Sequence, residues 1–397
     1  MSRDVLHLIG SNLVGGPEKQ ILHHAADLRG SEYRLTIGSF HDLESWPEVL
    51  TAAEELGLGT FCLPGGLRPS LVPLLVRELR RRPEALLCTH GFKANVVGYL
   101  ATRWSGHSHT AFMRGFTGES RRVRFYEMLE RQALKRAQRV VCVSAKQVDE
   151  IAPLRRSGRR PIVVKNAMLP PYSRPQEGAA VSRDQLGIPG NAFVFGSVGR
   201  LSIEKGHRYL LSAFRELRDL PGVQAPLFLI VVGNGAEQPA LEQQAAHLGI
   251  RDAVYFAGYQ GNCAPWMQLM DCMVQPSLKE ATPNTVLEAL YLNVPVLATA
   301  VGGVPDLIQN EKNGLLVPAA DPSSMAQAMR RLVSDPRLCR QLTEGGAELT
   351  REYSPERQRQ RLLALYDEVF AGQQNRPRRR TTRPAGLAEV NHPDPQP

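Results

Sequence analysis

Residues 192–207 read AFVFGSVGRLSIEKGH: an apolar run closes on Gly199, and a polar segment of helical character follows. The run does not alternate apolar with polar residues, so it suits a strand covered on both faces, as in a parallel sheet between layers of helices. The same strand-to-helix exchange recurs downstream at LFLIVVG (227–233), AVYFAG (253–258), CMVQPS (272–277), PVLAT (295–299) and GLLVP (314–318). Upstream it appears at VLHLIG (5–10), YRLTIGSF (33–40), TFCL (60–63), ALLCTH (85–90), HTAFMR (109–114), RVVCVS (139–144) and PIVVKN (161–166). The expected fold class is α/β, with two doubly wound Rossmann-like domains facing each other across a cleft. Ligands of such sheets bind beyond the carboxyl ends of the strands.

The expected division is residues 1–168 for the first domain and 192–352 for the second. Between them, 169–191 is a linker rich in Pro, Gly and small polar residues. Residues 353–372 form a last helix crossing back to the first domain, with Ser354 as its N-cap and Pro355 at its first position. The basic tail, 373–397, is low in apolar content and is expected to be disordered.

At 397 residues the chain is too long for one ordinary core, and 43% apolar with 22% charged residues is ordinary for a globular protein. No stretch approaches the roughly 20 apolar residues of a membrane-spanning helix, and the N-terminus lacks a signal-peptide core. Six scattered cysteines without a C-x-x-C pair read as free thiols of a reducing cytoplasm. Positive charge is concentrated: residues 68–165 hold 21 Lys and Arg against 7 Asp and Glu, whereas 181–370 hold 17 against 20. A field of that kind suits an anionic partner such as acidic lipid or a phosphorylated acceptor; a solvated arginine-rich face is the alternative. Nucleic acid is not expected, because the basic segment lacks interleaved aromatic residues and any reader motif.

Three features of the second half converge on phosphate. Arg200 and Lys205 sit where a strand ends and a helix is expected to begin near Lys205. VVGNGAE (231–237) is a second glycine turn. In EATPNTVLE (280–288), Pro283 is expected in a helix's first turn, and Asn284 and Thr285 offer the unpaired amides of its start. Glu280 precedes that helix and Glu288 lies within it. Carboxylates repel a diphosphate but accept hydrogen bonds from hydroxyls, so ribose on one side and a sugar on the other suit the pair. That describes a nucleotide-sugar.

GRLSIEKG, VVGNGAE, EATPNTVLEAL and AVGGVPDLIQNEKNGLLVPAAD, in this order, resemble family 4 glycosyltransferases, retaining enzymes of the GT-B fold. The resemblance covers nearly the whole chain. It implies that Arg200 and Lys205, with Gly16, Asn284 and Thr285, hold the diphosphate of a UDP- or GDP-type donor. It also implies that Glu288 binds ribose, that Glu280 lies by the donor sugar in a catalytic role, and that no cofactor is used. Ala281 stands where the family usually has glycine, which narrows the space for the sugar.

GSNLVGGPE (10–18) resembles the family's N-terminal glycine loop, with Gly15 and Gly16 free to approach phosphate or acceptor. His90 is expected at a strand end facing the cleft, where the family often has a functional histidine; a buried structural histidine is the alternative. Arg114, near another strand end, is an acceptor-side candidate. RRVRFYEMLERQALKRA (121–137) reads either as a helix packed on the sheet through Val123, Tyr126, Leu129 and Leu134, or as a contact with an anionic membrane surface. The expected activity is transfer of a sugar to a hydroxyl of a lipid-linked or glycan acceptor at the inner face of the cytoplasmic membrane. No metal site is expected, since no D-x-D pair with further acidic ligands is present. A sugar-nucleotide epimerase of the same fold and a non-catalytic binder are the rivals.

Overall fold

The computed structural model describes residues 2–41, 46–66, 68–116, 121–154, 160–169 and 181–374. Most of the expected linker and the tail beyond residue 374 lie outside the described residues. The first sheet contains β1 (Arg3–Ile9), β2 (Tyr33–His41), β3 (Gly59–Pro64), β4 (Leu86–His90), β5 (Ser108–Phe112), β6 (Arg139–Cys142) and β7 (Ile162–Val163). The second contains β8 (Phe193–Val198), β9 (Leu227–Val232), β10 (Val254–Gly258), β11 (Cys272–Gln275), β12 (Val296–Thr299) and β13 (Leu315–Val317). Each apolar run named above overlaps one strand. All pairings within the two sheets are parallel, with orders β3-β2-β1-β4-β5-β6-β7 and β10-β9-β8-β11-β12-β13. Both orders reverse beside the first strand of the sheet, between β1 and β4 and between β8 and β11, which opens a crevice at the strands' carboxyl ends.

Successive strand side chains point to opposite faces, and the cores follow that period. Phe195, Leu229 and Val231 enter one cluster of the second domain, and Val194, Ile230 and Val232 enter the other. On β1, Val5 and Ile9 face one layer and Leu6 and Leu8 the other. Each such burial stabilises the fold by roughly 1.5–3 kcal/mol.

The last helix, Pro355–Gln374, follows the second domain but packs on the first. Its Leu362, Leu365, Tyr366, Val369 and Phe370 join the cluster of Val5 and Ile9. Ser354 Oγ accepts from Arg357 N at 3.2 Å, capping the helix. The chain's two crossings between domains meet where Met168 N donates to Tyr353 O at 2.6 Å. All six cysteines are free, and among the described residues no helix is long and apolar enough to cross a membrane.

Candidate active site

Between the carboxyl edges of the two sheets lies a cleft of about 950 Å³ lined by both domains. On the second-domain wall, Glu280 is the hub. Its Oε1 accepts from Lys205 Nζ at 2.6 Å, Ser277 Oγ at 2.7 Å and Gln275 Nε2 at 2.8 Å. All three donors fall on one oxygen, which leaves Oε2 without a partner among the described residues. Thr285 Oγ1 donates to Gln275 Oε1 at 2.9 Å and so fixes which end of that amide faces Glu280. Thr285 thus reaches the site through Gln275, while its own amide belongs to the helix start.

Lys205 ends a short 3-10 turn, Ile203–Lys205, and the α-helix begins only at His207. The offset comes from Gly206, whose φ of +69° breaks the helical path and brings its α-carbon so near Pro276 O that a β-carbon would lie 2.1 Å from it. Arg200 is 57% exposed in its side chain and pairs with Glu204 at 2.8 Å. Pro283 is the cap rather than a first-turn residue, so the helix runs Asn284–Tyr291. Behind Glu280, Gly302 has φ +57°, and a β-carbon there would lie 1.6 Å from Glu280 O. Only glycine fits that approach, and it sets the path of the loop bearing Glu280.

Glu288 lines the same cleft and is 12% exposed; Lys19 Nζ of the first domain lies 3.5 Å away. Burial raises its carboxyl above the usual range, and Lys19 acts in the opposite direction. Gly16 meets Asn284 across the cleft, where a β-carbon would lie 2.4 Å from the Asn284 amide nitrogen. Asn284 Oδ1 also accepts from Gln20 Nε2 at 3.2 Å. Gly15 caps the Gly16–Asp27 helix, its N–H donating to Glu18 Oε2 at 3.1 Å.

His90 does not reach the cleft. It is 4% exposed, with Nδ1 facing Arg114 Nη2 at 2.9 Å and Nε2 facing His7 Nδ1 at 2.9 Å. The cleft wall at this point is Arg114. The chain of contacts continues inward: His7 Nε2 lies 3.0 Å from Tyr366 Oη, and His24 Nε2 lies 3.1 Å from the same oxygen. Burial holds His90 well below the ordinary histidine pKa and His7 and His24 at about 3, so all three rings are neutral. Arg114 can only donate, which fixes the polarity from His90 through His7 and Tyr366 to His24.

Sequence reasoning did not single out Lys19, Gln275, or Gly302 as site residues. Two of them carried a signal: Gln275 is an amide ending an apolar strand, and Gly302 belongs to a double glycine just beyond another.

Comparison with known proteins agrees with this architecture. Residues 15–167 match the glycosyl transferase 4-like domain, and residues 179–349 match the glycosyl transferases group 1. A D-inositol 3-phosphate glycosyltransferase of Saccharomonospora viridis is 30% identical over 304 residues, 72% of this chain and 70% of that protein. The lipopolysaccharide core biosynthesis glycosyltransferase LpsD of Rhizobium meliloti is 32% identical over 180 residues, 45% of this chain. The match spans 50% of LpsD and 55% of a similar Streptomyces bingchenggensis D-inositol 3-phosphate glycosyltransferase, about half the length of these relatives. Anabaena HepE, solved in complex with UDP-glucose, superposes with a TM-score of 0.78 at 21% identity, over 92% of this chain and 99% of that one. The fold is GT-B, and the chain belongs to the group 1 glycosyl transferases with a 4-like N-terminal domain.

Proposed function

We propose that this protein transfers a sugar from a nucleoside diphosphate donor to an acceptor hydroxyl, with retained anomeric configuration. The observation that carries this reading is the meeting of Arg200, Lys205, Glu280 and Glu288 along one carboxyl edge of one parallel sheet. Arg200, Lys205 and the amides of Asn284 and Thr285 offset the charge that grows on the diphosphate as the sugar leaves. Because these groups meet that charge, no metal or cofactor is required. Glu288 takes the ribose hydroxyls and Glu280, through its free Oε2, the donor sugar. UDP is the favoured nucleotide, since the similar HepE binds UDP and UDP-glucose.

The acceptor reading, a glycan or lipid-linked glycan at a membrane face, draws support from LpsD and from one surface. The helices Phe92–Ser105 and Arg121–Arg136 hold eight Lys and Arg against two Glu. Their outward stripes expose Trp104 at 67%, Phe125 at 54% and Met128 at 48%, and Phe92 and Tyr126 stack between the helices at 4.9 Å. Apolar side chains among arginines suit an anionic lipid surface. It would place the protein at the cytoplasmic face of the membrane.

The test is thermal denaturation with UDP-, GDP-, ADP- and CMP-sugars, with and without magnesium, on wild type and Glu288→Ala. One nucleotide should stabilise wild type without metal and lose its effect in the variant. Stabilisation by none would sink the reading. Conversion of the nucleotide-sugar to an epimer with no acceptor present would favour the epimerase instead.

A further inference from the structure

The turn between β8 and the helix His207–Asp219 carries a carboxylate that the donor reading does not use. Glu204 lies in the 3-10 turn Ile203–Lys205 and lines the cleft, with its side chain only 7% exposed. An enclosed anion on the wall assigned to a diphosphate calls for a reason, because like charges repel and burying a charge is costly. Its contacts supply one. Glu204 Oε1 accepts from Arg200 Nη2 at 2.8 Å and from Ser202 Oγ at 2.5 Å.

The two halves of the ion pair differ in freedom: the carboxylate is enclosed, whereas the Arg200 side chain is 57% exposed. The backbone beneath the carboxylate is tied on several sides. Ser202 N donates to Arg200 O at 3.0 Å, Lys205 N donates to Ser202 O at 3.0 Å, and Leu201 N donates to Asn234 O at 2.8 Å. Glu204 O accepts from Leu278 N at 2.7 Å, at the start of the loop that bears Glu280, and the next residue, Lys205, donates to Glu280 itself. A long exposed side chain carries roughly 2 kcal/mol of rotamer entropy that a ligand must remove. A pair with a fixed carboxylate removes part of it beforehand. A guanidinium has five N–H donors, so a bond through Nη2 does not preclude a second anion.

We propose that Glu204 is a positioning residue for the donor: its carboxylate holds Arg200 at the place where the diphosphate is bound. The proposal rests on the transferase reading and deepens its donor half. Ser202 supports it by fixing the same carboxylate oxygen.

Calorimetry with UDP and with uridine on wild type, Glu204→Gln, Arg200→Ala and the double variant tests this role. Glutamine keeps the shape and an acceptor oxygen, removes the charge, and leaves the backbone bond to Leu278 in place. UDP should weaken by about three- to tenfold in Glu204→Gln while uridine is unchanged, and the substitution should bring no further loss once Arg200 is Ala. Equal weakening of UDP and uridine would reduce Glu204 to a purely structural residue, and an undiminished loss in the Arg200→Ala background would separate it from Arg200; either result overturns the proposal. Tighter UDP in Glu204→Gln would overturn it as well, since the carboxylate would then compete with the diphosphate for Arg200. Circular dichroism melting shows which variants fold. If Glu204→Gln does not, Ser202→Ala decides with the same two ligands: a smaller loss of UDP with uridine unchanged is expected, and no loss overturns the role. Absence of UDP binding by wild type would sink the donor reading itself, whereas UDP binding that Glu204→Gln leaves intact would overturn this role alone.

Discussion

Lys205 Nζ lies 2.6 Å from Glu280 Oε1, joining the turn after β8 to the loop after β11, with the carboxylate side chain only 7% exposed. Replacing Lys205 by Ala removes the counter-charge of Glu280 and the cation proposed to meet the donor diphosphate. Turnover of nucleotide-sugar should fall by about 10²-fold or more. Near-normal turnover would refute the role given to Lys205.

Glu288 faces Lys19 from across the cleft. Glu288→Ala should weaken UDP by about 1.5–3 kcal/mol, the worth of hydrogen bonds to a charged group, read by calorimetry. Lys19→Ala should act differently: without its cation, the already raised Glu288 carboxyl keeps its proton to higher pH. UDP affinity in that variant should therefore drop as the solution is acidified, more steeply than in wild type.

Gly302→Ala tests the backbone beneath the site. A β-carbon there collides with Glu280 O and demands an unfavourable φ. A loss of about 2–4 kcal/mol in denaturant unfolding is expected, with weakened UDP binding as the Glu280 loop moves. A variant as stable as wild type would contradict the geometry.

Glu130 lies on the buried side of the basic helix Arg121–Arg136, accepting from Asn95 Nδ2 at 2.6 Å. Burial pushes its carboxyl up to about 7. The folded state therefore holds this proton more tightly than the unfolded chain does. The contribution is fully present below the unfolded carboxyl's pKa and is lost as pH rises through about 7. Glu130→Gln should be more stable than wild type at pH 8, by at most about 3 kcal/mol, and the gap should close towards pH 5. Denaturant midpoints across pH measure it.

Trp104→Ser with Phe125→Ser removes two exposed rings without touching a core cluster. Sedimentation with vesicles should show binding of wild type to anionic lipid, reduced severalfold in the double variant and weakened by salt. Equal binding by both proteins would exclude this face.

The fold was legible because parallel strands buried on both faces leave uninterrupted apolar runs, and both sheets are built from them. Even β7, only Ile162–Val163, lies inside such a run. The second-domain cluster could be anticipated because its charged residues fall at strand ends within local motifs. His90 was harder to place. Strand-end position alone put it in the cleft, whereas side-chain alternation sets it on the face of Cys88, which is buried in the core cluster. The meeting of Lys19 with Glu288, and of His7 with Tyr366, depends on how separate segments pack, which no local pattern encodes.

The Met168–Tyr353 hydrogen bond has a mechanical consequence. Because the last helix returns to the first domain's core, the second domain is suspended between two strands of chain, and those strands run side by side where they cross. Two adjacent crossings define an axis about which the second domain can turn with the least disturbance of either. Gln20, which lies beside the crossings and touches Ala167 and Gln358 on one side and Asn284 on the other, sits near the pivot. A jaw-like swing about these crossings is the cleft motion this arrangement favours, with Gly16 and Arg114 meeting the same places on the opposite wall.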